Sequence, residues 1–471
     1  MFSTSDTIIA ISTAKGMGAI AVIRLSGDDA IELVEKQFKP FKSSKKLSEQ
    51  KGNTVHYGTL IDGARDIDDV LISVFKAPHC YTGQDTVEIA CHGATYIQQE
   101  ILMLFVKMGA RLANPGEFTQ RAFLNGKMDL LQAEAVADLI ASSSDASRKV
   151  ALQQMRGGFS NELTQLREKL LWFASLIELE LDFAEENVEF ANRKELNELV
   201  NNMLALITKL CQSFALGNAI KNGIPVAIVG NTNAGKSTLL NALLNEERAL
   251  VSDVHGTTRD TVEDTIHIAG ITFRFIDTAG IRQTADVVEN LGIERTFDKI
   301  QKATVVILLV DANDSVEKIS ELLKRVSEEM DFTSQQLLFV VNKIDSLHDR
   351  NTMEIFDREP LKSLLSNTTQ IRISAKNKLH IDTLKEALIK QLDLQQLESD
   401  DIIVTNARHY EHLTRAHESL ARANEGLHSG LPSDLVAQDI RETIDHLGSI
   451  TGIISSDNIL HNIFKHFCIG K

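Results

Sequence analysis

The chain has 471 residues, 43% hydrophobic and 24% charged, which is too long for one ordinary domain and apolar enough for several cores. Its formal net charge of -16 argues against a general electrostatic grip on nucleic acid, so any RNA contact must be local or delegated to a partner. The four cysteines, Cys80, Cys91, Cys211 and Cys468, include no CxxC pair, so neither a zinc module nor a disulfide framework is indicated.

The first residues lack the charged and apolar regions of a signal peptide and the arginine-rich amphipathicity of a transit peptide. No unbroken apolar run is long enough to span a bilayer. The expectation is a cytoplasmic chain with no membrane contact. Residues 1–118 mix short β-type runs (7–11, 19–25, 54–61, 70–75 and 86–91) with glycine turns. A helix follows His92, carrying Ile97, Ile101, Leu104, Phe105 and Met108 at helical spacing. This predicts an α+β domain. Residues 119–217 contain no proline and show long helical periodicity, as in Leu163, Leu166, Leu170, Phe173, Ile177 and Leu181. From Ile224 strands and helices alternate, and from residue 385 helical texture returns. The two helical stretches each need a partner for their apolar stripe. The economical architecture is one discontinuous α-helical domain, 119–217 with 385–471, into which an α/β P-loop domain of residues 218–384 is inserted. No internal repeat is evident, and the acidic stretch 182–189 reads as a solvated helix face.

The inserted segment carries phosphate and base motifs in order. A short apolar strand at 226–229 runs into GNTNAGKS (230–237) and then a helix, the strand–loop–helix context that a GxxxxGKS loop requires. Backbone N–H groups of Asn233, Ala234, Gly235 and Thr238 would surround phosphates, with the helix N-terminus adding its dipole. Lys236 would reach the β and γ phosphates, and Ser237 would ligate magnesium. A second strand, 273–276, ends in Asp277, Thr278, Ala279 and Gly280, where the aspartate would hold magnesium through water and the glycine amide would sense the γ-phosphate. Strands at 305–310 and 337–341 follow, the latter leading to Asn342, Lys343 and Asp345. The Asp345 carboxylate can accept from guanine N1–H and the exocyclic amine, which adenine does not offer, and so selects GTP. After a strand at 371–373, Ser374, Ala375 and Lys376 supply an amide for guanine O6. The loop Ser252, Asp253, Val254, His255, Gly256, Thr257 and Thr258 lies between the two phosphate motifs, and Thr258 is the residue expected to complete the magnesium shell.

The position that holds a water-orienting glutamine in Ras-type enzymes is Ile281, which has no acceptor. Another group must orient the water, and Asp286 and Glu289 both remain open by residue type. The Asn233 side chain and the carbonyls of the 252–257 loop are oxygen ligands suited to a monovalent cation beside the phosphates.

With these residues in view, the chain resembles the MnmE (TrmE) family of tRNA modification GTPases over essentially its whole length. The resemblance is carried by AVIRLSG (21–27), YTG (81–83), Val87 and Glu88 with His92 and Gly93, PGEFTQRAFLN (115–125), KMDLLQAE (127–134), NAGKS (233–237), GTTRD (256–260) and the terminal CIGK (468–471). It implies a folate-binding, dimerising N-terminal domain, a helical domain made from two segments, and an inserted G domain. It implies GTP hydrolysis that depends on potassium and is activated when G domains pair. It further implies a homodimer that joins a flavin-dependent protein of the MnmG (GidA) type in a heterotetramer, tRNA being held mainly through that partner. The implied product is an aminomethyl or carboxymethylaminomethyl group on carbon 5 of the wobble uridine, its carbon expected from 5-formyl- or 5,10-methylene-tetrahydrofolate. The implied potassium contacts are Asn233, Ser252, Val254 and Thr257, the catalytic acid is Glu289, and the folate contacts are Arg24, Glu88, Lys127 and Lys471.

The chain departs from the family in small ways. Ser252 stands where threonine is common, and the P-loop reads GNTN where an arginine–proline pair is frequent. On residue type alone Arg24 is a surface charge, and Cys468 is either a packed residue or a reactive thiol. Two other classes share the nucleotide motifs: a ribosome-assembly or translation GTPase, which calls for a basic RNA-binding appendage, and a signalling switch without one-carbon chemistry. Binding of reduced folate by the first 118 residues separates them.

Overall fold

The computed structural model describes residues 6–41, 45–182, 193–245, 264–276, 299–332, 335–346, 361, 365, 368–390, 402–429, 431–454, 457–465 and 467–470. It divides into two units. One holds Met1–Ala141, Ala151–Ile207 and Glu411–Lys471, and the other Ser142–Val150 and Thr208–Tyr410.

In the first unit the strands are β1 (Ile8–Ile11), β2 (Ile20–Ser26), β3 (Phe38–Pro40), β4 (Thr54–Asp62), β5 (Arg65–Phe75), β6 (Thr86–His92) and β7 (Arg111–Leu112), with buried and less buried side chains alternating along much of β2, β4, β5 and β6. They form one sheet in the order β3-β4-β5-β6-β2-β1-β7, antiparallel except for β1 with β7. One face carries Ile23, Leu25, Val87, Ile89, Ile72 and Val74, and packs on α1 (Ala30–Glu35) and α2 (Thr95–Lys107) through residues such as Val34, Ile101 and Phe105. The opposite face carries the register partners Arg24 with Glu88, Val22 with Ala90 and Tyr57 with Leu71. The predicted strands and the helix after His92 are all present. The short elements α1, β3 and β7 were not legible, being at most six residues long.

The helices of this unit include α3 (Glu117–Leu124), α4 (Leu130–Ala141), α6 (Gly158–Asp182), α12 (Ser433–Thr451) and α13 (Asp457–Phe464). A reciprocal cap starts α4: Asp129 Oδ1 accepts from Gln132 N at 2.9 Å, and Gln132 Oε1 accepts from Asp129 N at 3.0 Å. Gly452, left-handed at φ +84, ends α12. The unit boundary falls within α5 (Asp145–Met155), α7 (Arg193–Asn222) and α11 (Ala407–Ser429). Helix α7 continues past residue 217, where the first helical stretch was expected to end. Over Lys194–Asn222 it is long and apolar enough by composition to cross a bilayer, although the sequence holds no unbroken apolar run. Its buried residues, Leu196, Val200, Met203, Ile207 and Leu210, recur every three or four positions, the stripe of an amphipathic packed helix.

In the second unit, β8 (Ile224–Val229), β9 (Asp264–Ile268), β10 (Ile271–Phe275), β11 (Val305–Asp311), β12 (Gln336–Asn342) and β13 (Thr369–Arg372) form a sheet in the order β13-β12-β11-β8-β10-β9. All neighbours are parallel except β9 with β10. The central strands are continuous apolar runs because helices α8 (Lys236–Asn245), α9 (Val316–Glu329) and α10 (Ile381–Lys390) bury them. Helix α10 spans residue 384, where the inserted segment was expected to end. β8 is flanked by β10 on one side and β11 on the other, so the chain reverses direction across the sheet at its carboxyl end, the usual place for a ligand crevice.

Candidate functional site

Three loops meet at the carboxyl ends of β8, β12 and β13. The first follows β8. A Cβ on Gly230 would lie 2.2 Å from the Leu309 carbonyl oxygen, so no side chain fits where the loop leaves the sheet. Gly235 has φ +97, and a Cβ there would lie 2.3 Å from Asn342 Nδ2. Asn233 is left-handed at φ +66. The loop therefore curls tightly before α8 starts at Lys236, with Ser237 and Thr238 in the first turn. Lys236 Nζ donates to the carbonyls of Gly230 at 2.7 Å and Asn231 at 2.9 Å, holding the ammonium over the loop. Burial, with the charge of Lys299 adding, holds this amine below the ordinary lysine range. A phosphate in this cradle would restore the stability of the charged form.

The second loop follows β12. Asn342 is 2% exposed and clips all three loops together. Its Nδ2 donates to the Ala234 carbonyl at 2.8 Å, and its Oδ1 accepts from Ala375 N at 2.9 Å. Lys343 is left-handed at φ +64 and pairs with Asp311 at 2.6 Å. Asp345 Oδ1 accepts from Ser374 Oγ at 2.5 Å. In the third loop, Ser374 Oγ also accepts from Asn377 N at 3.2 Å, and Ser374 bridges Leu379. Lys376 lies in this same turn. The motif residues 233–238, 342, 343, 345 and 374–376 are thus brought together. Sequence reasoning missed Asp311, although an acid ending the apolar run of β11 at a strand's carboxyl end was the available signal.

The remaining expected residues lie outside the described ones: Ser252, Asp253, Val254, His255, Gly256, Thr257 and Thr258; Asp277, Thr278, Ala279 and Gly280; Glu289 with its alternative Asp286; and Lys471.

The first unit holds a second candidate site. Arg24 and Glu88 are register partners on β2 and β6, joined at 2.7 Å and 2.9 Å. The guanidinium stands 5.7 Å from the Tyr81 ring centre and 5.6 Å from that of Phe118. Burial pushes the Tyr81 phenol up, and its hydroxyl is within 2.9 Å of Thr119 Oγ1. Arg24 is therefore a held cation, not a free surface charge. Lys127 Nζ donates to the Pro78 carbonyl at 2.8 Å, and its stem borders Gly83. The segment 467–470 docks onto the same unit: Gly116 N donates to the Cys468 carbonyl at 3.3 Å, and Ser12 Oγ to that of Gly470 at 3.2 Å. Cys468 is exposed.

The family model of the MnmE helical domain matches residues 130–468, and that of the GTP-binding protein TrmE N-terminus matches residues 7–127. The tRNA modification GTPase MnmE of Bacteroides fragilis is 54% identical over 466 residues, 99% of this chain and 99% of its own. That of Christiangramia forsetii is 53% identical over 473 residues, again 99% of each. Among solved structures, Aquifex aeolicus Era bound to GDP and aluminium fluoride matches 41% of this chain and 66% of its own, at 27% identity and a TM-score of 0.28. With both family models and full-length relatives agreeing, the chain belongs to the MnmE (TrmE) family of tRNA modification GTPases, and it is a GTP hydrolase of tRNA modification.

Proposed function

We propose that this GTPase acts in the cytoplasm with a flavin-dependent partner of the MnmG (GidA) type, in a heterotetramer, on the wobble uridine of certain tRNAs. It places an aminomethyl or carboxymethylaminomethyl group on carbon 5, using a carbon from tetrahydrofolate. The observation that carries this reading is Arg24, clasped by Glu88 between Tyr81 and Phe118, in the unit that also binds the 467–470 segment. A pterin offers adjacent donors for the Glu88 carboxylate and a flat ring for the same cage, and Lys127 with Lys471 suits the carboxylates of a glutamate tail. Bound folate supplies the one-carbon unit; the protein orients it and controls water.

In the second unit, the glycine-walled loop and Lys236 suit the phosphates of GTP, Asp345 and Ala375 suit guanine, and Ser237 with Thr258 suits magnesium, which supplies positive charge at the phosphates. Asn233, with Ser252, Val254 and Thr257, is assigned to potassium, and Glu289 to orienting the attacking water. The homodimer is assigned to the first unit, whose outer sheet face exposes Ile20, Val55, Tyr57 and Leu71. The deciding experiment incubates unmodified tRNA with this protein, the purified flavin partner, GTP, an amine donor and reduced folate, and then analyses nucleosides by mass spectrometry. Modified wobble uridine is expected only when folate is present. Equal product without folate refutes the assigned carbon source.

A further inference from the structure

We infer that Asp311 is a positioning residue for base recognition, tightening guanine-nucleotide binding through Lys343 without taking part in hydrolysis. The inference rests on the GTP assignment of the second unit's site. It starts with the sheet. Asp311 closes the apolar run of β11 and is the register partner of Asn342, so strand pairing alone sets its carboxylate beside the loop that follows β12.

The side chains then form a closed ring. Asp311 Oδ2 accepts from Lys343 Nζ at 2.6 Å, and Oδ1 accepts from Asn313 N at 3.0 Å and Asn313 Nδ2 at 2.9 Å. Asn313 Nδ2 also donates to Ser346 Oγ at 2.8 Å, which in turn donates to the Lys343 carbonyl at 2.8 Å. Lys343 is thus fixed at both ends: its backbone is left-handed within this ring, and its ammonium is tethered to Asp311. A lysine stem held in that way presents an apolar surface of fixed direction. Two residues on, Asp345 addresses the hydrogen-bonding edge of guanine, leaving the ring's face for such a surface.

A lone, partly exposed ion pair would contribute little. Here the lysine side chain is 37% exposed and the aspartate 19%, but the carboxylate accepts three hydrogen bonds. Burial alone would push the Asp311 carboxyl up, yet its bonds to Lys343 and Asn313 leave it below the usual aspartate range. Geometry and charge agree that the tether is kept ionised.

The test uses the full-length protein with Asp311→Ala and Asp311→Asn. Release of GDP and of inosine diphosphate is followed by stopped-flow fluorescence, GTP turnover by kcat and KM, and folding by thermal melting. Loss of a charge-assisted tether predicts release about tenfold faster, or more, in Asp311→Ala, with a matching rise in KM. The factor is the same for both nucleotides, because the missing amine of inosine is read by Asp345, while kcat and melting stay near wild type. Asp311→Asn, which keeps an acceptor but not the charge, falls between. Release within about twofold of wild type, a fall in kcat at unchanged KM, or an effect on GDP alone overturns the inference. If Asp311→Ala does not fold, Asp311→Asn decides by the same readouts. A wild type that holds ADP as tightly as GDP refutes the GTP assignment itself, a separate failure.

Discussion

Asp345 shows what a single carboxylate contributes at this site. It is held by Ser374 Oγ, and its neighbour Asn342 ties the loop to both the phosphate cradle and the Ser374–Lys376 turn. Changing Asp345→Asn keeps the shape but converts one acceptor into a donor. GTP binding should weaken by about tenfold or more, and xanthosine triphosphate, whose ring offers the complementary oxygen, should gain affinity. Competition binding measures both. Equal wild-type affinity for ATP would show that this residue does not read the base. Such residues were legible because their motifs are local: the glycines and lysine of the loop after β8, and the aspartate of the Asn342–Asp345 run. The clip made by Asn342 was not legible as a clip, because Ala234 and Ala375 lie 108 and 33 residues from it and only the sheet brings them together.

At the scale of elements, helix α7 contains a glycine that helix propensity alone disfavours. A Cβ on Gly217 would sit 2.1 Å from the Val404 carbonyl oxygen, and Val404 N donates to Ser213 Oγ at 3.1 Å one turn earlier. Alanine there gains about 1 kcal/mol of propensity and meets backbone that cannot rotate away, at a cost of roughly 2–3 kcal/mol. Gly217→Ala should therefore lower stability in chemical denaturation; a more stable variant would mean that the 403–405 segment moves freely. Helix α3 supplies a second case. Arg121, 2% exposed, binds Glu117, Asp6 and the Gln84 side chain, and Glu117 also binds Arg111. Burial pushes Glu117 up, but Arg111, the Asn114 N–H and Arg121 overrule it and leave its carboxyl below the usual range. A depressed folded value means stability that is complete at neutral pH and is lost as pH falls through that value. Arg121→Met should cost about 3 kcal/mol at pH 7 and much less at acid pH, once Glu117 has taken up a proton. Equal destabilisation at both pH values in urea titrations would refute the electrostatic account. Long periodic helices and buried strands were readable in advance because period and burial coincide. The network around Arg121 was not, since a buried charge leaves no periodic trace.

For the molecule as a whole, the predicted chemistry turns on a group that Ile281 does not provide. If potassium and Glu289 supply charge and water orientation, GTP turnover should drop strongly when sodium replaces potassium at matched ionic strength. Glu289→Ala should reduce kcat by about a hundredfold while nucleotide affinity stays nearly unchanged. Equal rates in the two salts would remove potassium from the mechanism. The modular plan was legible because helical and alternating textures differ over long windows. That the N-terminal sheet shares one unit with helices from the far end of the chain was not, because the bonds from Gly116 to Cys468 and from Ser12 to Gly470 join residues over 350 positions apart. This closure has a consequence during synthesis. The sheet emerges from the ribosome well before Glu411–Lys471, which completes its unit. At ordinary elongation rates the wait between residues 141 and 411 is roughly 15–50 s. Throughout it, the apolar surface of α4 around Leu130 and Ala133, later covered by Phe464 and Phe467, stands open, and a ribosome that stalls near residue 450 leaves that patch unsealed, although the sheet's own core, drawn from residues 9–110, closes without it.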